Sequence, residues 1–283
     1  MHNETVEDMS AMLSLPEIEL RLRHLLDRPR ADDAELGRVL IYDPALSVRL
    51  LKIVNSTIYG FPGKIDSLSS ALKIIKTEAL ENLILTTVSS DTFNKIPSEL
   101  IDMSCFWHHS VCVGIAAEQL AKRCSLPHPA RLFAAGLLHD VGQLIIYHRY
   151  PEKALEILEK ALPTDKGLYL AEKEVLGFSH GDIGAELFRS WGLPDIFAEI
   201  SACHHEPHLS EKFTVETAIV HLANSLVNTL EPSRNIAECK IQYDTEMLKI
   251  TGLSEEQLAL VLSDTEAEFL TVIKIISPDA PLL

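Results

Sequence analysis

The chain has 283 residues, 47% of them apolar and 23% charged, with a formal net charge of −16. That balance is an ordinary globular one and excludes a wholly disordered chain, and the length suits one large domain or two smaller ones. A field of that sign repels phosphate backbones, so direct nucleic-acid binding is not expected.

The opening stretch "MHNETVEDMSAMLSLPEIEL" is acidic and polar, where a secretory leader would be basic and then apolar. Nowhere does an uninterrupted apolar run approach membrane-spanning length. A cytoplasmic chain with no membrane association is therefore expected. "YDPALSVRLLKIVNS" starts a helix, with Asp43 as N-cap and Pro44 at the first helical position. "STIYGFPGKIDS" breaks the pattern with two glycines and a proline. Leu68, Leu72, Ile75, Ala79 and Leu83 then advance by three or four and form one face of a helix. "NKIPSEL" at 94–100 is a further break. It reads as the joint between an N-terminal helical subdomain, 1–98, and a C-terminal helical region, 99–283.

Beyond that joint, helices are predicted at roughly 101–124, 129–147, 151–161, 166–176, 180–191, 195–204, 214–230 and 255–276. "CSLPHP" and "WGLPD" are connectors, and the tail "ISPDAPLL" is expected to be frayed or loosely docked. No alternating strand pattern with hairpin turns persists, so the expected fold class is all-α. The five cysteines, Cys105, Cys112, Cys124, Cys203 and Cys239, are scattered, odd in number and without a CxxC pair. They indicate neither a disulfide framework nor a zinc ribbon, and most read as small buried hydrophobes. Cys105 and Cys112 lie two turns apart, about 10.5 Å along a helix axis, which is too far for a disulfide. The reading for both is a buried structural thiol.

Polar residues interrupt the apolar helix faces at specific places. His109 shares a stripe with Cys105, Cys112, Ala116 and Leu120. In "AAGLLHDVGQLIIYH", His139 shares one with Leu132, Ala135, Gln143 and Ile146, and Asp140 is adjacent. His180 opens the helix of "GFSHGDIGAELF", with Ser179 as its N-cap and Gly184 permitting close backbone approach. His204 and His205 stand near a helix end, and His221, Asn224 and Asn228 form a polar stripe. A lone buried histidine is usually a hydrogen-bonded structural residue. Unpaired polar groups in a helical core cost roughly 1–3 kcal/mol each, so several on separate helices make sense if they converge. A metal ion would satisfy them together. Neutral imidazoles with a carboxylate suit iron, manganese, zinc or nickel, in a site assembled from distant segments of a helix bundle.

The order of these motifs resembles the HD superfamily of metal-dependent phosphohydrolases, and more closely the HDOD (HD-related output domain) family of bacterial signalling. The likeness rests on "LPEIELRLRHLLDRPRADDAELGRVLIYDPALSVRLLKIVNSTIYG", "SLSSALKII", "FWHHSVCVGIAAEQLA", "FAAGLLHDVGQL", "GFSHGDIGAELFRSWGLP" and "CHHEP", over roughly residues 12–230. It implies an N-terminal helical subdomain packed against an HD-like helical core. The family is generally viewed as regulatory, without an established activity. Its relatives, the HD-GYP proteins, hydrolyse cyclic di-GMP with two or three metals. Their ligand pattern maps onto His109, His139, Asp140, His180, His204 and His205.

Several departures accompany the matches. Asn224 stands where the last HD ligand is an aspartate. Gln143 replaces the lysine after the HDxG motif, and Cys105 replaces the glutamate found in three-metal members. The GYP loop is missing. An amide binds a hard cation less well than a carboxylate. The expectation is a non-catalytic signalling module with no catalytic residues and a degenerate HD site that retains a divalent metal. Its partners would be proteins of a signalling pathway, with a nucleotide as a further candidate ligand. The alternative is an active phosphohydrolase on a nucleotide or cyclic dinucleotide.

Overall fold

The computed structural model describes residues 16–28, 32–57, 59, 63–88, 96–162, 164, 166–229 and 243–278. Every regular element among them is helical, as the periodicity predicts. The N-terminal helices are α1 (Pro16–Leu26), α2 (Asp33–Leu40), α3 (Pro44–Val54), α4 (Leu68–Ile74) and α5 (Thr77–Val88). Asp43 caps α3 by accepting from the Leu46 N–H at 2.8 Å, with Pro44 in the first turn. The stripe running from Leu68 to Leu83 belongs to two helices rather than one. Ile75 turns extended (ψ 137°) and separates α4 from α5, yet both halves still face the core.

The remaining elements are α6 (Met103–Arg123), α7 (Ala130–Leu138), α8 (Val141–Arg149), α9 (Pro151–Lys160), α10 (Gly167–Leu176), α11 (His180–Ser190), α12 (Asp195–Cys203), a 3-10 turn (Pro207–Leu209), α13 (Thr214–Asn228), α14 (Thr245–Thr251) and α15 (Glu255–Ile276). The single helix predicted over 129–147 is broken at His139-Asp140, where Asp140 leaves helical geometry (φ −102°, ψ 7°). Apolar periodicity runs on through the break, which hid it from a reading of spacing. Helix α14 was not foreseen. Asp244 caps its start and Gly252, at φ +70°, ends it. Residues 279–283 of the tail lie outside the described residues.

Helix α6 is the central element and packs against α7, α13 and α15. Its middle is buried on nearly every side, from Val111 to Ala117. The Trp107 indole N–H donates to the Tyr42 carbonyl at 2.8 Å and ties α6 to the α2–α3 junction. Lys64 donates to the Leu193 carbonyl at 2.9 Å, a second tie between the N-terminal helices and the remainder. Helix α15 lies along α6. Phe269 sits against Trp107 and His108, while Arg123 pairs with Asp264 at 2.8 Å.

Three helix pairs meet at backbone distance because glycine stands at the crossing. Gly136 of α7 and Gly114 of α6 face one another. Gly142, at the start of α8, lies against the backbone of His180 and Gly184 in α11. Gly181 of α11 lies against Ser201 of α12. A Cβ at position 142 would stand inside contact distance of the His180 carbonyl oxygen, which is backbone and cannot rotate away. The expected cost of Gly142→Ala is about 3 kcal/mol, at the upper end of overpacking effects. Urea unfolding measures it, and a loss below about 0.5 kcal/mol would show that α8 and α11 can part freely.

Candidate metal centre

The helix crossings carry polar side chains to one point. His109 comes from the middle of α6, His139 and Asp140 from the break between α7 and α8, and His180 from the first residue of α11. His204 and His205 follow the end of α12. All six residues singled out in the sequence converge. One donor group joins Asp140, His180, His204 and His205, and a second joins His109, His139 and Asp140. Within each group the donor atoms lie within 4.8 Å of one another. The Asp140 carboxylate belongs to both.

Distances fix the arrangement. Asp140 Oδ2 lies 3.1 Å from His139 Nε2 and 3.7 Å from His109 Nε2. Its Oδ1 lies 3.1 Å from His180 Nε2 and 3.3 Å from His204 Nε2. His205 Nε2 is 3.1 Å from His180 Nε2. All five imidazoles are buried. The far side of each ring then decides what the near side offers. His139 Nδ1–H donates to the Gly136 carbonyl at 2.6 Å, and His204 Nδ1–H donates to the Ser201 carbonyl at 2.8 Å. A carbonyl can only accept, so each Nδ1 carries a proton, and in the neutral ring Nε2 turns a lone pair inward. His180 Nδ1 lies 2.6 Å from Glu172 Oε2, which also accepts the His180 backbone N–H at 2.8 Å.

Electrostatics divides the rings. Burial pulls the His204 imidazole down to about 4, and burial with neighbouring His204 and His180 holds His205 well below the usual imidazole range. Burial disfavours the charged form of His180, yet Glu172 and Asp140 overcome it and raise that imidazole well above its usual value. Burial likewise opposes ionisation of Asp140, but His139 and His180 keep its carboxyl well below the carboxylate range. His204 and His205 are therefore held in the neutral form beside an ionised carboxylate, while the two carboxylates flanking His180 favour its charged form. His139 Nε2 and Asp140 Oδ1 are buried and have no hydrogen-bond partner among the described residues. A buried carboxylate ringed by imidazole nitrogens is a donor set that a divalent cation fits. When bound, such a cation supplies Lewis acidity and lowers the pKa of a coordinated water.

Some of the machinery escaped the sequence reading. Glu172 is fully buried on α10 and orients His180 in the manner of a carboxylate behind a metal-bound histidine. Its position, three after Tyr169 and four before Leu176, places a charge on the helix's buried stripe, and that was the available signal. Ser201 donates to the carbonyls of His139 and Gly181, each at 3.2 Å, and binds the break to α11 and α12. Tyr169 stacks on His205, with ring centroids 4.8 Å apart, and its hydroxyl donates to Glu206.

A cavity of about 420 Å³ opens beside the cluster. Its polar lining beyond the cluster itself consists of Asp102, Cys105, Gln143, Asn224 and Asn228, with Leu100, Phe106 and Leu168 among the apolar walls. Cys105 is exposed at this mouth and Cys124 and Cys203 are half-buried, so Cys112 alone of the described cysteines is a buried thiol. The reading of Cys105 as buried fails because the first turn of α6 projects beyond the bundle at the cavity rim. His221, Asn224 and Asn228 are all buried, since α13 is covered on both its faces.

A family model of the HDOD domain matches residues 12–207. An uncharacterized protein of Treponema pallidum (strain Nichols) is 25% identical over 219 residues. The match takes in 77% of this chain and 42% of that protein, so the chain spans less than half of that relative's length. Among solved structures, the MmoQ response regulator of Methylococcus capsulatus str. Bath superposes with a TM-score of 0.67 at 21% identity, over 90% of this chain and 99% of that one. A virulence factor of Campylobacter jejuni subsp. jejuni gives a TM-score of 0.69 at 19% identity, over 95% and 99%. At those identities the likeness is one of fold. No described helix is long and apolar enough to cross a membrane.

Two substitutions test the centre. His139→Ala is expected to abolish co-purification of a transition metal, read by elemental analysis of untagged protein, and to lower the melting temperature. Glu172→Gln keeps the shape but not the charge behind His180, and is expected to weaken metal affinity by about 10–100-fold in a competition with a chelating dye. Unchanged metal content in His139→Ala would remove the cluster from consideration as a metal site.

Proposed function

The chain belongs to the HDOD domain family, and on that premise we propose that it is a regulatory module of a signalling pathway that keeps a metal centre but does not use it for hydrolysis. One observation carries this reading. Five imidazoles and the Asp140 carboxylate converge as a donor set, while the cavity that opens onto it has no lysine or arginine among its described lining residues. Phosphoryl transfer leans on cations that neutralise the charge developing on the transferred group. Here an incoming phosphodiester meets the carboxylates of Asp102 and Asp140 and the neutral ends of Gln143, Asn224, Asn228 and Cys105.

The residues that remain have a mechanical role. Bound metal would join α6, the α7–α8 break, α11 and the end of α12 through one ion, so occupancy would change how firmly these helices hold together. Protein partners of a signalling pathway are the proposed readers of that state. The likeness to MmoQ, a protein called a response regulator, supports the signalling context. A cytoplasmic location is part of the same proposal.

The second reading, a phosphohydrolase acting on a nucleotide or cyclic dinucleotide, draws on the Asp140 carboxylate shared between two donor groups, an arrangement suited to two metals. A direct assay separates them. Protein loaded with iron, manganese, zinc or nickel is incubated with cyclic di-GMP and with bis(p-nitrophenyl) phosphate. The expected result is release of product no faster than in buffer with the same metal. Turnover that disappears in His139→Ala would falsify the regulatory reading and establish the hydrolase.

A further inference from the structure

A second cavity, of about 240 Å³, lies where α1, α2 and the end of α15 meet, and it is lined by Arg21, Glu35, Arg38, Val39, Lys274 and Ile275. Three of the four charged groups are cations, in a chain whose formal net charge is −16. The one carboxylate is already engaged. Glu35 accepts from Arg21 at 3.2 Å and from Arg28 at 3.1 Å. Arg21 is largely buried, and its Nε has no acceptor among the described residues. Arg38 and Lys274 are exposed and have no carboxylate partner among those residues. Among the described residues Arg38 holds only the Ala34 carbonyl, at 3.2 Å through its Nε, which leaves the two terminal nitrogens of the guanidinium for another acceptor.

We propose that this cavity is a binding site for a small phosphoryl dianion, seated between Arg21, Arg38 and Lys274. Guanidinium groups match phosphate oxygens with paired donors, and a lysine adds a point charge. The volume is below the roughly 300–1,000 Å³ of sites that enclose drug-sized ligands, so the site takes a phosphoryl group and little more, not a whole nucleotide. The location gives binding a consequence. Helix α15 rests on α6, the helix that carries His109, through Phe269, Asp264 and Glu268. An anion held by Lys274 from one side and by Arg21 and Arg38 from the other pins the end of α15 to α1 and α2. The site lies outside the histidine cluster and does not depend on the role proposed for it.

The test is calorimetric titration of the full chain with inorganic phosphate and with an O-phosphoserine peptide, at low ionic strength because exposed charges are screened within about 8 Å at physiological salt. The proteins are the parent, Arg38→Gln/Lys274→Gln, the distant surface variant Lys212→Gln and His139→Ala, each checked for an unchanged circular dichroism spectrum. Saturable binding to the parent is expected, weakened at least about tenfold in the double variant and unchanged in Lys212→Gln and His139→Ala. Tighter binding of the peptide than of phosphate would assign the group to a phosphorylated side chain, and the reverse to a free small anion. Absence of saturable binding would overturn the proposal. So would equal affinity in the double variant, or loss of binding in His139→Ala, which would move the anion to the histidine cluster.

Discussion

The carboxylate of Asp140 is the constraint around which the C-terminal helices are arranged. Four imidazole nitrogens, from α6, the α7–α8 break, α11 and the end of α12, lie 3.1 to 3.7 Å from its two oxygens. A continuous helix through 129–147 would place His139 and Asp140 a fixed 100° apart on its surface. The break lets adjacent residues serve the same point. Gly142 then brings α8 onto the backbone of α11, so that His180 reaches Asp140 without a longer side chain. Ser201 closes the arrangement from α12 by bonding to both carbonyls beside it.

The histidines differ in what stands behind them. His139 and His204 are fixed by carbonyls of their own segments, one helical turn earlier. His180 instead relies on Glu172, a charge from another helix that is completely buried. A buried carboxylate of this kind is expensive unless its hydrogen bonds are made, and it ties α10 to the centre although α10 supplies no donor to the cluster. The lining of the adjoining cavity follows a different logic. It has amides, a thiol and the Asp102 carboxylate but no lysine or arginine among its described lining residues, and this contrast between a converging donor set and an approach without such cations underlies the preference for the regulatory reading over the hydrolytic one.

Much of this was legible in the sequence, for a physical reason. Histidine and aspartate that interrupt the faces of a helical chain are costly unless they meet, which marks His109, His139 and Asp140 as candidates, while the full set with His180, His204 and His205 comes from the resemblance to the HD-GYP ligand pattern. Ser179 as N-cap and Gly184 at a close crossing were equally readable, and the structure shows the cap completed as a capping box with Asp182. What periodicity could not show was where tertiary contact interrupts it. The breaks at Ile75 and at His139-Asp140 leave the apolar spacing intact on both sides. Glu172 is easily passed over because a glutamate in "LAEKEV" looks like one of three surface charges, its place on the stripe of Tyr169 and Leu176 being the one sequence feature that sets it apart.

The spread of the donors along the chain bears on how the protein folds. The first, His109, and the last, His205, are separated by the rest of α6 and by α7 to α12. Such a cluster has high contact order, and forming it means closing several long loops at once. A cation held there belongs to the late, fully docked state. It would act as a cross-link over those loops without a covalent bond, slowing unfolding more than it speeds folding. During synthesis, the centre cannot assemble until the ribosome has released His205, so the N-terminal helices and α6 must hold their apolar faces together on packing alone until then.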